Sequence, residues 1–167
     1  MNSTGPVLGT TLYSFTNEWK QRRYTFDQLV EKVAQLGLGP AIEVVGFQSL
    51  RGFPEVSDEF VHHFRDLFDK YELIPSCLGA NCDVGRRRGR LMNADEIMDY
   101  LQCQMVTAQK LGFSVMRIQA FVGPEIFEKL APLAEKARVH VACELHSPLT
   151  IDNPEVVALR ECYDRVG

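Results

Sequence analysis

The stretch VACELHSP, residues 141–148, runs from small apolar residues into a carboxylate at Glu144 and an imidazole at His146. Residues two apart on an extended strand point to the same face. Glu144 and His146 therefore share a face with His140 and Ala142, while Val141, Cys143 and Leu145 face the opposite way. A carboxylate beside an imidazole can ligate a divalent cation, orient a substrate hydroxyl or move a proton. On pattern alone two readings stand. Either the pair sits at the mouth of a site, or the strand turns polar as it leaves the core and Glu144 serves a structural hydrogen-bond network.

Other polar groups interrupt otherwise apolar strands. Glu43 alternates with Ile42 and Val44, and Arg117 with Met116 and Ile118. Charges inside a packed layer are costly unless paired, so a Glu43–Arg117 pair is the plain expectation. Gln119 lies nearer its strand end, within reach of a ligand. Phe15 and Trp19 follow the first strand, and aromatic faces suit the C–H surface of a sugar; loop packing is the plainer reading for Trp19. GRRRGR, residues 85–90, could grip an anion or simply be a solvated basic loop.

The elements that must position these groups alternate regularly. Strands are expected near 8–15, 41–46, 73–79, 115–121 and 139–145. Helices fill the intervals. One starts at Thr25, which forms a capping box with Gln28 and stops at Gly37. A second runs from about Ser57 to Tyr71, and a third starts near Asn93, with Glu96 at capping-box spacing. Pro124 opens a fourth and Asn153-Pro154-Glu155 a last one. The run Ala34-Gln35-Leu36-Gly37 recurs in outline as Ala108-Gln109-Lys110-Leu111-Gly112, each time just before a strand. Repeated strand–helix units predict a parallel sheet with right-handed crossovers.

Totals narrow the function classes. The 167 residues suffice for a single domain, 1–167, and no linker divides them. A net charge of −4 gives no support to nucleic-acid or anionic-membrane binding. No apolar run is long enough to span a bilayer, and no signal peptide is visible. The 5 cysteines form no CxxC pair, which suits reduced thiols in a cytoplasm. No G-x-G-x-x-G or P-loop follows the first strand, which disfavours an open nucleotide-binding sheet. A complete (β/α)₈ barrel takes about 250 residues, whereas this chain has room for roughly five units.

KVAQLGLGPAIEVVG, AQKLGFSVMRIQAF and VHVACELHSP resemble successive segments of the xylose-isomerase-like TIM-barrel superfamily. That superfamily includes sugar-phosphate isomerases and epimerases, inosose dehydratases and subunits of C-glycoside deglycosidases. The resemblance implies an α/β chain made of about five N-terminal strand–helix units of an eight-unit barrel. It implies a divalent metal, Mn above all, with Mg, Co or Zn as alternatives. Glu144 matches the metal ligand that ends the fifth strand, and the remaining ligands would lie on strands beyond this chain. Glu144 and His146 are then the catalytic candidates, with Gln119, Trp19 and Phe15 towards a small-molecule sugar.

The leading expectation is a metal-dependent isomerase or epimerase working through an enediolate. One alternative is a lyase on an oxidised sugar, of the deglycosidase or inosose dehydratase type. Another is a non-catalytic half-barrel scaffold. Endonuclease IV shares the fold, but no histidine occurs between His63 and His140 to serve its early metal cluster. A chain of this extent would be inactive alone. It would need a complementary C-terminal half, a second copy or another subunit to cover its sheet edge.

Overall fold

A computed structural model describes residues 5–82, 85, 89–119 and 122–166. Five strands form one sheet: β1 (Gly9–Thr11), β2 (Ala41–Val45), β3 (Ile74–Ala80), β4 (Val115–Ile118) and β5 (His140–Cys143). They lie in chain order, β1-β2-β3-β4-β5, and each neighbouring pair is parallel. An open doubly wound sheet reverses its strand order at a switch point. This sheet never reverses, so it winds in one direction as a barrel wall does.

Helices α1 (Thr16–Lys20), α2 (Phe26–Gln35), α3 (Gly46–Ser49), α4 (Asp58–Lys70), α5 (Ala94–Leu111), α6 (Pro124–Ala137) and α7 (Pro154–Val166) complete the described chain. Capping chemistry fixes the starts of the long ones. Thr25 and Asn93 each form the expected reciprocal box with Gln28 and Glu96, and Ser57 accepts from the Phe60 N–H. Arg90 adds a bidentate clamp on Glu96, at 2.6 and 2.8 Å. Gly112 ends α5 at φ +86°, a conformation that costs a glycine little.

Strand alternation divides the sheet into two faces. Ile42, Val44, Leu78, Met116 and Ile118 are fully buried against the helices. On α4, Phe60, Phe64 and Phe68 follow one another at i, i+4, and Phe64 stacks on Phe68 with centroids 4.1 Å apart. Glu43, Cys77, Gly79, Arg117 and Ala142 alternate with the apolar set and occupy the other face, which is the inside of the barrel wall.

Some boundaries differ from expectation. The first strand is only Gly9–Thr11, because the Thr11 hydroxyl accepts from the Tyr13 N–H and starts a 3-10 turn over Leu12–Phe15. Phe15 thus leaves the sheet. The fifth strand ends at Cys143, so Glu144 stands one residue beyond it. The fourth is described to Ile118, and positions 120–121 of the expected strand lie outside the described residues. The short α1 and α3 were not anticipated. Between β2 and β3 the register slips, so that Ile42 pairs with Pro75 but Glu43 with Cys77. Pro75 has no N–H for the ladder, and the bulge there carries Ser76 past it. Among the described residues no helix is long and apolar enough to cross a membrane.

Candidate functional site

Four side chains form a line across the inner face near the carboxyl ends of the strands. Arg117, from β4, donates through Nε and Nη2 to Glu43 Oε1 of β2, at 2.8 and 2.6 Å. Its Nη1 meets Glu144 Oε2. Glu144 Oε1 lies 3.3 Å from His146 Nε2. The order is therefore Glu43, Arg117, Glu144, His146, running from half-buried groups to a largely exposed imidazole.

Register explains the arrangement. Arg117 pairs with Ala142, so Glu144 falls on the same face two residues further along. Its backbone N–H donates to the Ile118 carbonyl at 2.9 Å, extending the parallel ladder one step past the strand. Glu144 Oε2 is buried and meets Arg117 as an ion pair, without a hydrogen bond of ordinary geometry. The expected Glu43–Arg117 pair is present. The link from Arg117 on to Glu144 was not expected, although the parity of residues 117, 142 and 144 carried the signal.

Cys77 belongs to the same cluster. Burial, reinforced by the nearby Glu43 carboxylate, pushes its thiol up to about 11, against an opposing pull from Arg117. At neutral pH it is a protonated, unreactive group that fills space beside Glu43.

Asn81, the residue just after β3, is held by a second network. The fully buried Gln104 of α5 accepts from the Asn81 N–H at 2.9 Å and donates to the Asn81 carbonyl at 2.7 Å. Tyr100 donates its hydroxyl proton to Asn81 Oδ1 at 2.9 Å. Neither residue carried a site signal in sequence, because each sits within an ordinary helical pattern.

The remaining candidates are dispersed. Gln119 extends β4 at the mouth, with its Nε2 near the α-carbon of Gly79, where a Cβ would come within 3.4 Å. Phe15 packs against the core from the 3-10 turn. Trp19, on α1, lines a separate cavity whose walls include none of Glu43, Arg117, Gln119, Glu144 or His146. Of the GRRRGR run, Arg86, Arg87 and Arg88 lie outside the described residues, and Arg90 is engaged by Glu96.

The donor set bears on a metal. Among the described residues no three His, Cys, Asp or Glu side chains converge as a metal would require. Arg117 engages Glu144 Oε2, so the carboxylate fits as one ligand through Oε1, and His146 stands within reach of that oxygen. Any complete coordination shell must draw its other donors from outside the described residues.

No protein-family model matches the chain. A xylose isomerase domain protein from Planctomyces limnophilus superposes on it with a TM-score of 0.65 at 14% identity. The match covers 97% of this chain and 60% of that one. This chain has the fold of a xylose-isomerase-like TIM barrel. It supplies five consecutive strand–helix units of that barrel, counted from β1. Sequence similarity is stronger elsewhere. The chain is 42% identical over 162 residues to a C-glycoside deglycosidase alpha subunit from Microbacterium trichothecenolyticum, covering 97% of this chain and 44% of that protein. It is 43% identical over 162 residues to a 3'-dehydrocarminate deglycosidase alpha subunit from a Microbacterium species, covering 97% and 47%. The chain thus spans just under half the length of these curated relatives.

Proposed function

We propose that this chain is the site-bearing first part of a metal-dependent barrel enzyme that acts on oxidised sugars and cleaves them by elimination. The observation that carries the reading is the position of Glu144. It lies one residue past β5, beside His146, at the end of the sheet where barrels of this kind place their chemistry. The choice of elimination over isomerisation is supported by the extensive similarity to two deglycosidase alpha subunits, one named for a dehydro, that is oxidised, substrate.

In this reading Glu144 would hold one face of a divalent cation, Mn first among the candidates, with partners from outside this chain. When bound, such a cation polarises a ketone and an adjacent hydroxyl and lowers the cost of removing the proton next to the carbonyl. Arg117 fixes the Glu144 carboxylate from behind and is itself held by Glu43. His146, exposed and next to Glu144, takes or returns the proton. Loss of that proton forms an enolate. If a leaving group stands β to the carbonyl, the enolate re-forms the C=O and its electron pair makes a new conjugated double bond between the α and β carbons, as the bond to the leaving group breaks and the departing atom takes up a proton. Without such a group, return of the proton on the other face gives an epimer.

The names of the relatives support a partner subunit, and the fold supports a complementary set of strands beside β5. The test is a product assay. The full-length protein, with manganese and its partner subunit, is incubated in deuterated water with a C-glycoside oxidised to the ketone. Aglycone release supports elimination. An epimer carrying deuterium, without release, supports isomerisation and overturns the lyase assignment. No turnover of oxidised or unoxidised sugars refutes both.

A further inference from the structure

A second cavity, of about 810 Å³, opens between α1, α2 and α4, away from the Glu144 cluster. Its walls combine two chemistries. Trp19, Tyr24 and Phe60 supply half-buried aromatic rings, and Phe60 packs on Phe26 with centroids 5.8 Å apart. Lys20, Arg22 and Arg51 supply three exposed cations. Among the described residues none of the three meets a carboxylate. Asp27, the carboxylate of the lining, is taken by His63, whose Nε2 lies 2.9 Å from both of its oxygens.

This concentration of positive charge runs against a chain whose net charge is −4. Unpaired cations crowded around an apolar hollow repel one another, and an anion relieves that repulsion. Rings on the same walls favour a flat apolar body, and guanidinium groups both fork onto carboxylates and stack on aromatic faces. The volume matches that of a small-molecule site. Arg22 is held at φ +53°, in the left-handed region that non-glycine residues seldom adopt, which fixes the direction of its backbone beside the cavity.

We infer that this cavity binds a planar aromatic carboxylate, its ring between Trp19, Tyr24 and Phe60 and its charge on Arg22, Arg51 and Lys20. The inference is independent of the chemistry assigned to Glu144, and its test needs no turnover.

Isothermal titration of the full chain with 2-naphthoate reads the binding directly, with 2-naphthylmethanol as the uncharged match and inorganic phosphate as the ringless anion. Trp19, the sole tryptophan, reports occupancy independently through its fluorescence. The expected result is saturable naphthoate binding that perturbs Trp19 emission. The alcohol and phosphate should each bind at least roughly tenfold more weakly, and Arg22→Gln and Arg51→Gln should each weaken naphthoate about tenfold. Both arginines are exposed, so neither change threatens the fold. Equal binding of the alcohol or of phosphate overturns the inference. So does unchanged affinity in the Arg22→Gln/Arg51→Gln double variant, or the absence of saturable binding to the folded wild type.

Discussion

Arg117 Nη2 lies 2.6 Å from Glu43 Oε1, although their strands are not neighbours. Strand β3 runs between them, so the two backbones stand about 10 Å apart. The residue of β3 opposite Arg117 is Gly79, which has no side chain to stand in the path. A Cβ there would come within 3.1 Å of Val45 Cγ2 and 3.4 Å of Gln119 Nε2. The glycine therefore keeps the inner face open where the guanidinium crosses it, while Glu144 reaches the same guanidinium from the other side, past β5.

Removing Arg117 leaves two partly buried carboxylates facing each other without a cation. The groups are 19–30% exposed, so the loss falls below that of a fully buried pair. Arg117→Met should lower stability by about 2 kcal/mol, and Glu43→Gln by about 1. In a double-mutant cycle the two should couple by about 1 kcal/mol. Urea unfolding of the four proteins checks this, and additive effects would remove the pair from the account.

Cys77 should resist alkylation until strongly alkaline pH. Its thiol is held up at about 11 in the folded protein, against about 8.5 for a free cysteine. Because the folded value is the raised one, the folded chain keeps its proton after the unfolded chain has lost it. The stability linked to Cys77 is therefore complete below the unfolded value and falls as pH rises towards 11. Mass spectrometry of iodoacetamide-treated protein between pH 7 and roughly 11 follows the first effect. Rapid Cys77 labelling near pH 8 would contradict the buried, Glu43-flanked placement.

Gln104 should be costly to replace even though it lies on a helix far along the chain from Asn81. It satisfies both the N–H and the carbonyl of Asn81. Gln104→Leu strands both groups in a buried setting, and a loss of about 2–3 kcal/mol is expected. Thermal unfolding measures it, and hydrogen exchange at Asn81 should accelerate in the variant. A change below about 0.5 kcal/mol would show that water replaces the amide at no cost.

The alternation of apolar runs with helical stripes contained the parallel sheet, and the capping pairs Thr25–Gln28 and Asn93–Glu96 marked helix starts to the residue. Strand parity put Glu43 and Arg117 on the inner face, as the register has them, and the ion pair with Arg117 brings Glu144 to that face. What parity cannot convey is reach. That Arg117 spans β3 to hold Glu43 goes with Gly79, a feature of the strand between them, and its hold on Glu144 comes from the register with β5. The 3-10 turn that removes Phe15 from β1 arises from one hydroxyl, Thr11, that period-two reasoning ignores. Trp19 and the cations of its cavity come together through the packing of α1, α2 and α4, which no single stretch records.

The central claim is that Glu144 is a metal ligand in the assembled enzyme. The most direct measurement is the manganese content of the full-length protein after dialysis, read by elemental mass spectrometry in wild type and Glu144→Gln. A neutral amide is a poor partner for a hard cation, so the variant should hold manganese at least roughly tenfold more weakly, with circular dichroism unchanged. Equal manganese affinity in the two proteins would contradict the assignment and leave Glu144 as the structural partner of Arg117.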